Sequence, residues 1–285
     1  MKIFRFGESN KEKTGVIMPD GLKIDVSAFG EDYSEDFFEK DGINRLRSWL
    51  KDNFAKCPIV PDGVRFSVPL YKPSKIVCVG LDYKKHAQET GAKIPEEPII
   101  FFKSTTALCG ANDALIIPKN SEKTDWEVEL AVIIGKRTSY VSIEESMNYV
   151  AGYALHNDYS ERTFQIERGG QWVKGKSCDT FAPLGPFIAT KDEIPNPNNL
   201  AMWLKVNGKT FQNSNTSDMI FDVPYLVSYI SQFMTLLAGD IISTGTPEGV
   251  GLGMKPPLYL KAGDSVELGI EGLGTSKQVA KAYQK

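Results

Sequence analysis

From about residue 74 onward the chain alternates between short apolar or β-branched runs and turn residues: KIVCVG, PIIFFK, ALIIP, EVELAVIIG, APLGPFIAT, MWLKVNG, DIISTG and DSVELGI. Runs of this length, bounded by Gly, Pro, Asn and Asp, predict strands. Two segments carry apolar residues at helical spacing instead, SIEESMNYVAG and DVPYLVSYISQFM. The first opens on Ser142 with Glu145 three residues on, the start of a capping box. Residues 1–70 read as a small unit of their own: strand-like KIFRF, GVIMP and KIDVS, then the helix-prone DFFEKDGINRLRSWLKDN. A proline-rich exit through Pro58, Pro61, Pro69 and Pro73 marks a boundary. The pattern predicts an α+β chain with dominant mixed β-sheet, divided into a small N-terminal α/β unit over 1–70 and a main domain over 74–285.

Length agrees with that division, since 285 residues are long for one compact domain and short for two. Lys and Arg number 33 against 36 Asp and Glu, a formal charge of −3, which leaves no electrostatic footprint for nucleic acid or an anionic membrane. Cys57, Cys78, Cys109 and Cys178 lack CxxC spacing and are expected as free thiols in a reducing compartment. The opening MKIFRFGESNKEK resembles neither a signal peptide nor a transit segment, and no apolar run reaches the roughly 20 residues of a membrane span. The expected location is cytoplasmic.

Candidate chemistry begins in WEVELAVIIG. Strand alternation places Glu127 and Glu129 on one face and Val128, Leu130 and Val132 on the other. Their Cα atoms would lie about 6 to 7 Å apart; in an apolar strand the two carboxylates repel unless a cation or a proton relieves them. Solvation on an exposed face is the other reading of the same spacing. A third acid, Asp158, stands in GYALHNDYSERTFQ, where strand-like YALHN passes into helix-like YSERTFQIE. Two Glu and one Asp make an oxygen-only donor set, suited to Mg²⁺, Mn²⁺ or Ca²⁺ rather than Zn²⁺.

Only two histidines are present. His86 and Glu89 sit three apart in GLDYKKHAQETG and would share a helix face, either as a carboxylate-oriented base or as an exposed surface pair. His156, beside Asp158, reads as structural. Lys176 lies between Gly175 and Ser177, where little bulk would keep a small ligand away and its charge could neutralise an anionic oxygen; an ordinary loop lysine is the alternative. STGTPEGVGLG offers backbone N–H groups that could cradle a carboxylate, or it is a structural turn.

GLDYKKHAQE, EVELAVIIG, GYALHNDYSERTFQ, KGKSCDTFAPLGP, NTSDMIF and STGTPEGVG, in that order, resemble the fumarylacetoacetate hydrolase family from about residue 74 to the C-terminus. The resemblance implies a mixed β-sheet roll or barrel, a homodimer, and a Mg²⁺ or Mn²⁺ held by Glu127, Glu129 and Asp158. It implies that His86 with Glu89 acts as general base on a mobile lid, that Lys176 stabilises negative charge, and that Arg162, Gln165 and Thr246 bind substrate. On the residues alone, Arg162 is merely a helix-surface arginine. Two departures stand out: Asp82 occupies a position usually Asn in the smaller members, and no tyrosine stands near Gly169, which argues against fumarylacetoacetate itself.

The resemblance further implies chemistry on a 2-keto acid in which a metal engages the carboxylate and keto oxygens while charge builds on the latter. With activated water, a 2,4-diketo acid (an acylpyruvate or a 2,4-diketo-3-deoxy sugar acid) is cleaved to pyruvate and a carboxylic acid. Without it, the same site decarboxylates oxaloacetate or tautomerises a substrate such as 2-hydroxyhepta-2,4-diene-1,7-dioate. A non-catalytic metal- or ligand-binding protein of the same fold is a third reading, against which His86, Glu89 and Lys176 count.

Overall fold

Two of the most apolar runs form the heart of the molecule in the computed structural model, which describes residues 1–284. Val128–Ile134 and Val150–Asn157 pair antiparallel and are buried at every position, so side chains on both faces of this pair are covered. On one side Ile241–Ser243 joins antiparallel to Val128–Ile134, then Ile76–Gly80 pairs parallel to it, and Ile99–Lys103 forms the edge. On the other side Ile188–Thr190 leads to Lys2–Phe6, Lys13–Ile17 and Lys23–Asp25. The N-terminal strands thus extend the large sheet, with Ile3 opposite Ile188. A second sheet of five strands runs Lys209–Asn215, Ala201–Val206, Ser265–Ile270, Gly274–Ala282 and Leu115–Ile117. The fold is α+β with mixed sheets that stay open, rather than a closed barrel.

The helices are short and locally specified. Val223–Ser231 starts from Asp222, whose carboxylate accepts from the Tyr225 N–H at 3.0 Å, with Pro224 in the first turn. Ser142 caps its helix through the Glu145 N–H at 3.3 Å, but only Ile143–Ser146 is α-helical. The chain enters the central strand at Val150, where burial of VAGYALHN decides against continuation. The expected helix-like stretch after that strand becomes a short strand, Ser160–Glu161, and a π-helical turn, Thr163–Glu167. The ends of four neighbouring strands therefore converge: Glu127 precedes one, Asp158 follows another, Ser243 closes a third, and the segment Val79–Asp82 leaves the fourth.

Candidate active site

The register pairs His156 with Glu129, and the Asp158 N–H donates to the Glu127 carbonyl at 2.9 Å. Carboxylate oxygens of Glu127, Glu129 and Asp158 consequently lie within 4.8 Å of one another, all three side chains buried. Three cations face them. Lys176 Nζ donates to Glu127 Oε2 and Asp158 Oδ2, at 2.7 Å each. Lys103 Nζ bonds Asp158 Oδ1 and, at 3.1 Å, the Tyr159 carbonyl. Arg162 Nη2 sits 2.7 Å from Glu127 Oε1 and 2.8 Å from Asp125 Oδ2.

Glu129 differs from the other two. Its Oε2 accepts from the Ser243 hydroxyl and from the Gly245 N–H at 3.1 Å, and among the described residues it makes no ion pair. Burial, reinforced by the charges of Asp158 and Glu127, pushes its carboxyl well above the usual range. Burial also opposes ionisation of Glu127, but Lys176 and Arg162 outweigh it and hold that carboxyl low. Lys176 is desolvated too, yet Asp158 and Glu127 keep it charged, raising it above an ordinary lysine. A buried carboxylate facing two others without a cation of its own is the situation a divalent ion relieves. The oxygen donors fit Mg²⁺ or Mn²⁺.

A cavity of about 220 Å³ opens onto this cluster, lined by Glu127, Glu129, Lys176, Arg162, Gln165, Thr246 and His86, with Val79, Leu81, Phe101, Ile166, Trp172 and Leu252 forming its apolar walls. Of the residues singled out in the sequence, Glu89 and Asp158 stand behind this surface. His86 lies on the helix Lys84–Glu89 with Nδ1 2.9 Å from Glu89 Oε1. An ionised Glu89 accepts, so Nδ1 carries the proton and Nε2 is left as the basic nitrogen. Glu89 is itself held by the Gly249 N–H, at 3.1 and 2.9 Å from its two oxygens.

Several expectations change. The glycine turn does cradle carboxylates, but they are the protein's own. Gly245 N–H goes to Glu129, Gly249 to Glu89, and Gly251 and Leu252 to Asp125 at 2.6 and 2.9 Å. Gly175 does not open space for a ligand beside Lys176. A Cβ there would lie 2.3 Å from the Glu161 carbonyl, so the glycine lets the helix Val173–Lys176 press against Ser160–Glu161 and drive the lysine inward. Arg162 is a buried counter-ion and not a helix-surface arginine. Its Nη1 donates to Gln165 Oε1 at 3.0 Å. Thr246 Oγ1 donates to the Val128 carbonyl at 3.0 Å and accepts from Gln212 Nε2 at 2.8 Å.

Lys103, Asp125 and Ser243 escaped the sequence reading. Lys103 left one signal, the lone charge closing the apolar run PIIFFK; Asp125 stood beside the ExE pair in TDWEVE; Ser243 left none. His156 is fully buried with Nδ1 2.6 Å from Ser243 Oγ, and burial lowers it to about 3. Because Ser243 gives its proton to Glu129, the neutral His156 donates Nδ1–H to Ser243. Asp82 lies outside the cluster. Its Oδ1 accepts from the Phe221 N–H at 2.8 Å, and burial lifts its carboxyl to about 8.

The model of the fumarylacetoacetate (FAA) hydrolase C-terminal domain matches residues 75–280. A Burkholderia multivorans protein named as a hydrolase is 48% identical over 283 residues, 99% of each chain. Among solved structures, a maleylpyruvate hydrolase from Sphingobium sp. SYK-6 in complex with manganese(II) and pyruvate superposes with a TM-score of 0.83 at 29% identity, covering 100% of both chains. A 2-hydroxyhepta-2,4-diene-1,7-dioate isomerase from Mycobacterium marinum gives 0.72 at 30% identity, again over 100% of both. Match, identity and fold agree: the chain belongs to the fumarylacetoacetate hydrolase family, whose members include hydrolases and isomerases.

Proposed function

We propose that the protein is a divalent-metal-dependent hydrolase that cleaves the C3–C4 bond of a 2,4-diketo acid, giving pyruvate and a carboxylic acid. The observation that carries this reading is the buried triad in which Glu129 lacks a counter-charge, set in the same cavity as a carboxylate-backed histidine. Glu127, Glu129 and Asp158 would hold Mg²⁺ or Mn²⁺, which when bound supplies Lewis-acid polarisation of the substrate's 2-keto acid end. The Sphingobium enzyme, with manganese and pyruvate together, supports that pairing of ion and ligand class.

The chain's own groups supply the rest. His86 Nε2 takes a proton from water, and Glu89 holds the ring by its Nδ1–H and stabilises the cation that forms. Hydroxide adds to the C4 carbonyl; the C3–C4 bond then breaks with its electron pair passing into the pyruvate half, and C3 takes a proton to become the methyl group. Lys176 offsets the negative charge that develops on the keto oxygen side. Gln165 and Thr246 line the polar end and position the keto acid.

Isomerisation is the second reading, supported by the likeness to the Mycobacterium marinum isomerase and by the same base and acids working without added water. Product analysis with an acylpyruvate distinguishes them. Equimolar pyruvate and carboxylate support hydrolysis, and an unfragmented isomer of the substrate supports the second reading.

A further inference from the structure

We propose that the acyl group of the substrate beyond C4 is short and uncharged, so that the site selects monoanionic diketo acids and rejects those ending in a second carboxylate; this rests on the function proposed above. The far side of the cavity is apolar and built as one unit. Lys176 Nζ lies 5.1 Å from the centre of the Phe101 ring, and Phe101 meets Trp172 edge-on with ring centres 5.3 Å apart. The indole is seated against Gly80, where a Cβ would fall 2.6 Å from its Cζ3. Leading away from the carboxylates, the wall is therefore aromatic, continued by Leu81 and the exposed Ile166.

The charges around the cavity point the same way. Apart from the base His86, the basic residues lining the cavity are Lys176 and Arg162, and each already faces two carboxylates. With Glu129 ionised, as a metal ligand must be, Asp125, Glu127, Glu129 and Asp158 against Lys103, Lys176 and Arg162 leave one net negative charge. A divalent ion turns this to one net positive charge, which a single substrate carboxylate neutralises. A second carboxylate against Phe101 and Trp172 would be desolvated with no partner. At about 220 Å³ the cavity is smaller than the roughly 300–1,000 Å³ of pockets that hold drug-sized ligands, which suits a short acyl group.

The test uses Mn²⁺-loaded protein and two matched pairs. Calorimetry compares 2-oxopentanoate with 2-oxoglutarate, which differ at the far end by methyl against carboxylate. Turnover compares 2,4-dioxoheptanoate with 2,4-dioxoheptanedioate, matched in the same way. The monoanion is expected to bind and react better by about 10²-fold or more, the scale set by burying an unpaired charge. Ile166→Arg, at an exposed rim position, should narrow both ratios at least about tenfold by offering the missing cation. Dianions preferred by the wild type, or ratios unmoved in Ile166→Arg, overturn the proposal. If neither diketo acid is cleaved while the calorimetric preference holds, the hydrolase reading fails and the inference about the ligand stands.

Discussion

Lys176 shows how one side chain can be tied to both stability and chemistry. Its ammonium bridges two of the three acids, so its removal leaves Glu127 and Asp158 less compensated while taking charge from the reacting end. Lys176→Met keeps the stem, and kcat should fall by about 10² or more, the scale of one preorganised electrostatic donor. A rise in KM alone would make it a binding residue. For His86→Ala, steady-state assays should give hydrolysis slower by roughly 10² to 10⁴, and Glu89→Gln a milder loss. Asp82 makes a prediction about pH. Burial lifts its carboxyl in the folded chain to about 8 from an ordinary value of 3.8, so between those values the folded state holds a proton that the unfolded chain has released. Its contribution to stability therefore falls as pH rises from about 4 to about 8. Asp82→Asn keeps the oxygen that accepts from Phe221 and removes the ionisation; its Tm should gain on the wild type between pH 5 and pH 8. A constant difference across that range would count against a buried, proton-holding Asp82.

At the level of elements, the site depends on close approaches that only small residues allow. Gly175→Ala should push Val173–Lys176 away from Ser160–Glu161, lowering kcat along with stability by about 1–3 kcal/mol, the range for overpacking a close contact; urea denaturation beside steady-state assays checks it. Local pattern made much of this layer readable. Alternation in EVELAV put the two glutamates on one face, and Ser142 caps the helix it was placed to cap. What local pattern could not convey was pairing at a distance. Lys103 meets Asp158 across 55 residues of chain, and Ser243 reaches Glu129 across 114; both contacts follow from strand order, which no window of sequence contains. The same gap explains Gly175, whose use lies in what packs above it, and the glycine turn, whose N–H groups looked available until three acids from elsewhere were seen to fill them.

Across the whole molecule, the large sheet brings four strand ends to one cavity, and the N-terminal strands extend its far edge through Lys2–Phe6. No described helix is long and apolar enough to cross a membrane. Three buried carboxylates brought together only by the fold link metal binding to folding, because an ion that binds only the folded state adds RT ln(1 + [M]/Kd), about 2.7 kcal/mol at a hundredfold excess over Kd. Thermal melts with and without Mn²⁺ should show that gain in the wild type and lose most of it in Glu129→Gln. The most direct measurement is the turnover of acetylpyruvate by metal-stripped protein. With excess chelator no pyruvate should form, and adding Mg²⁺ or Mn²⁺ should restore equimolar pyruvate and acetate in the wild type but not in Glu129→Gln. Undiminished turnover in excess chelator, or full restoration in that variant at micromolar metal, would contradict a metal centre built on these three acids.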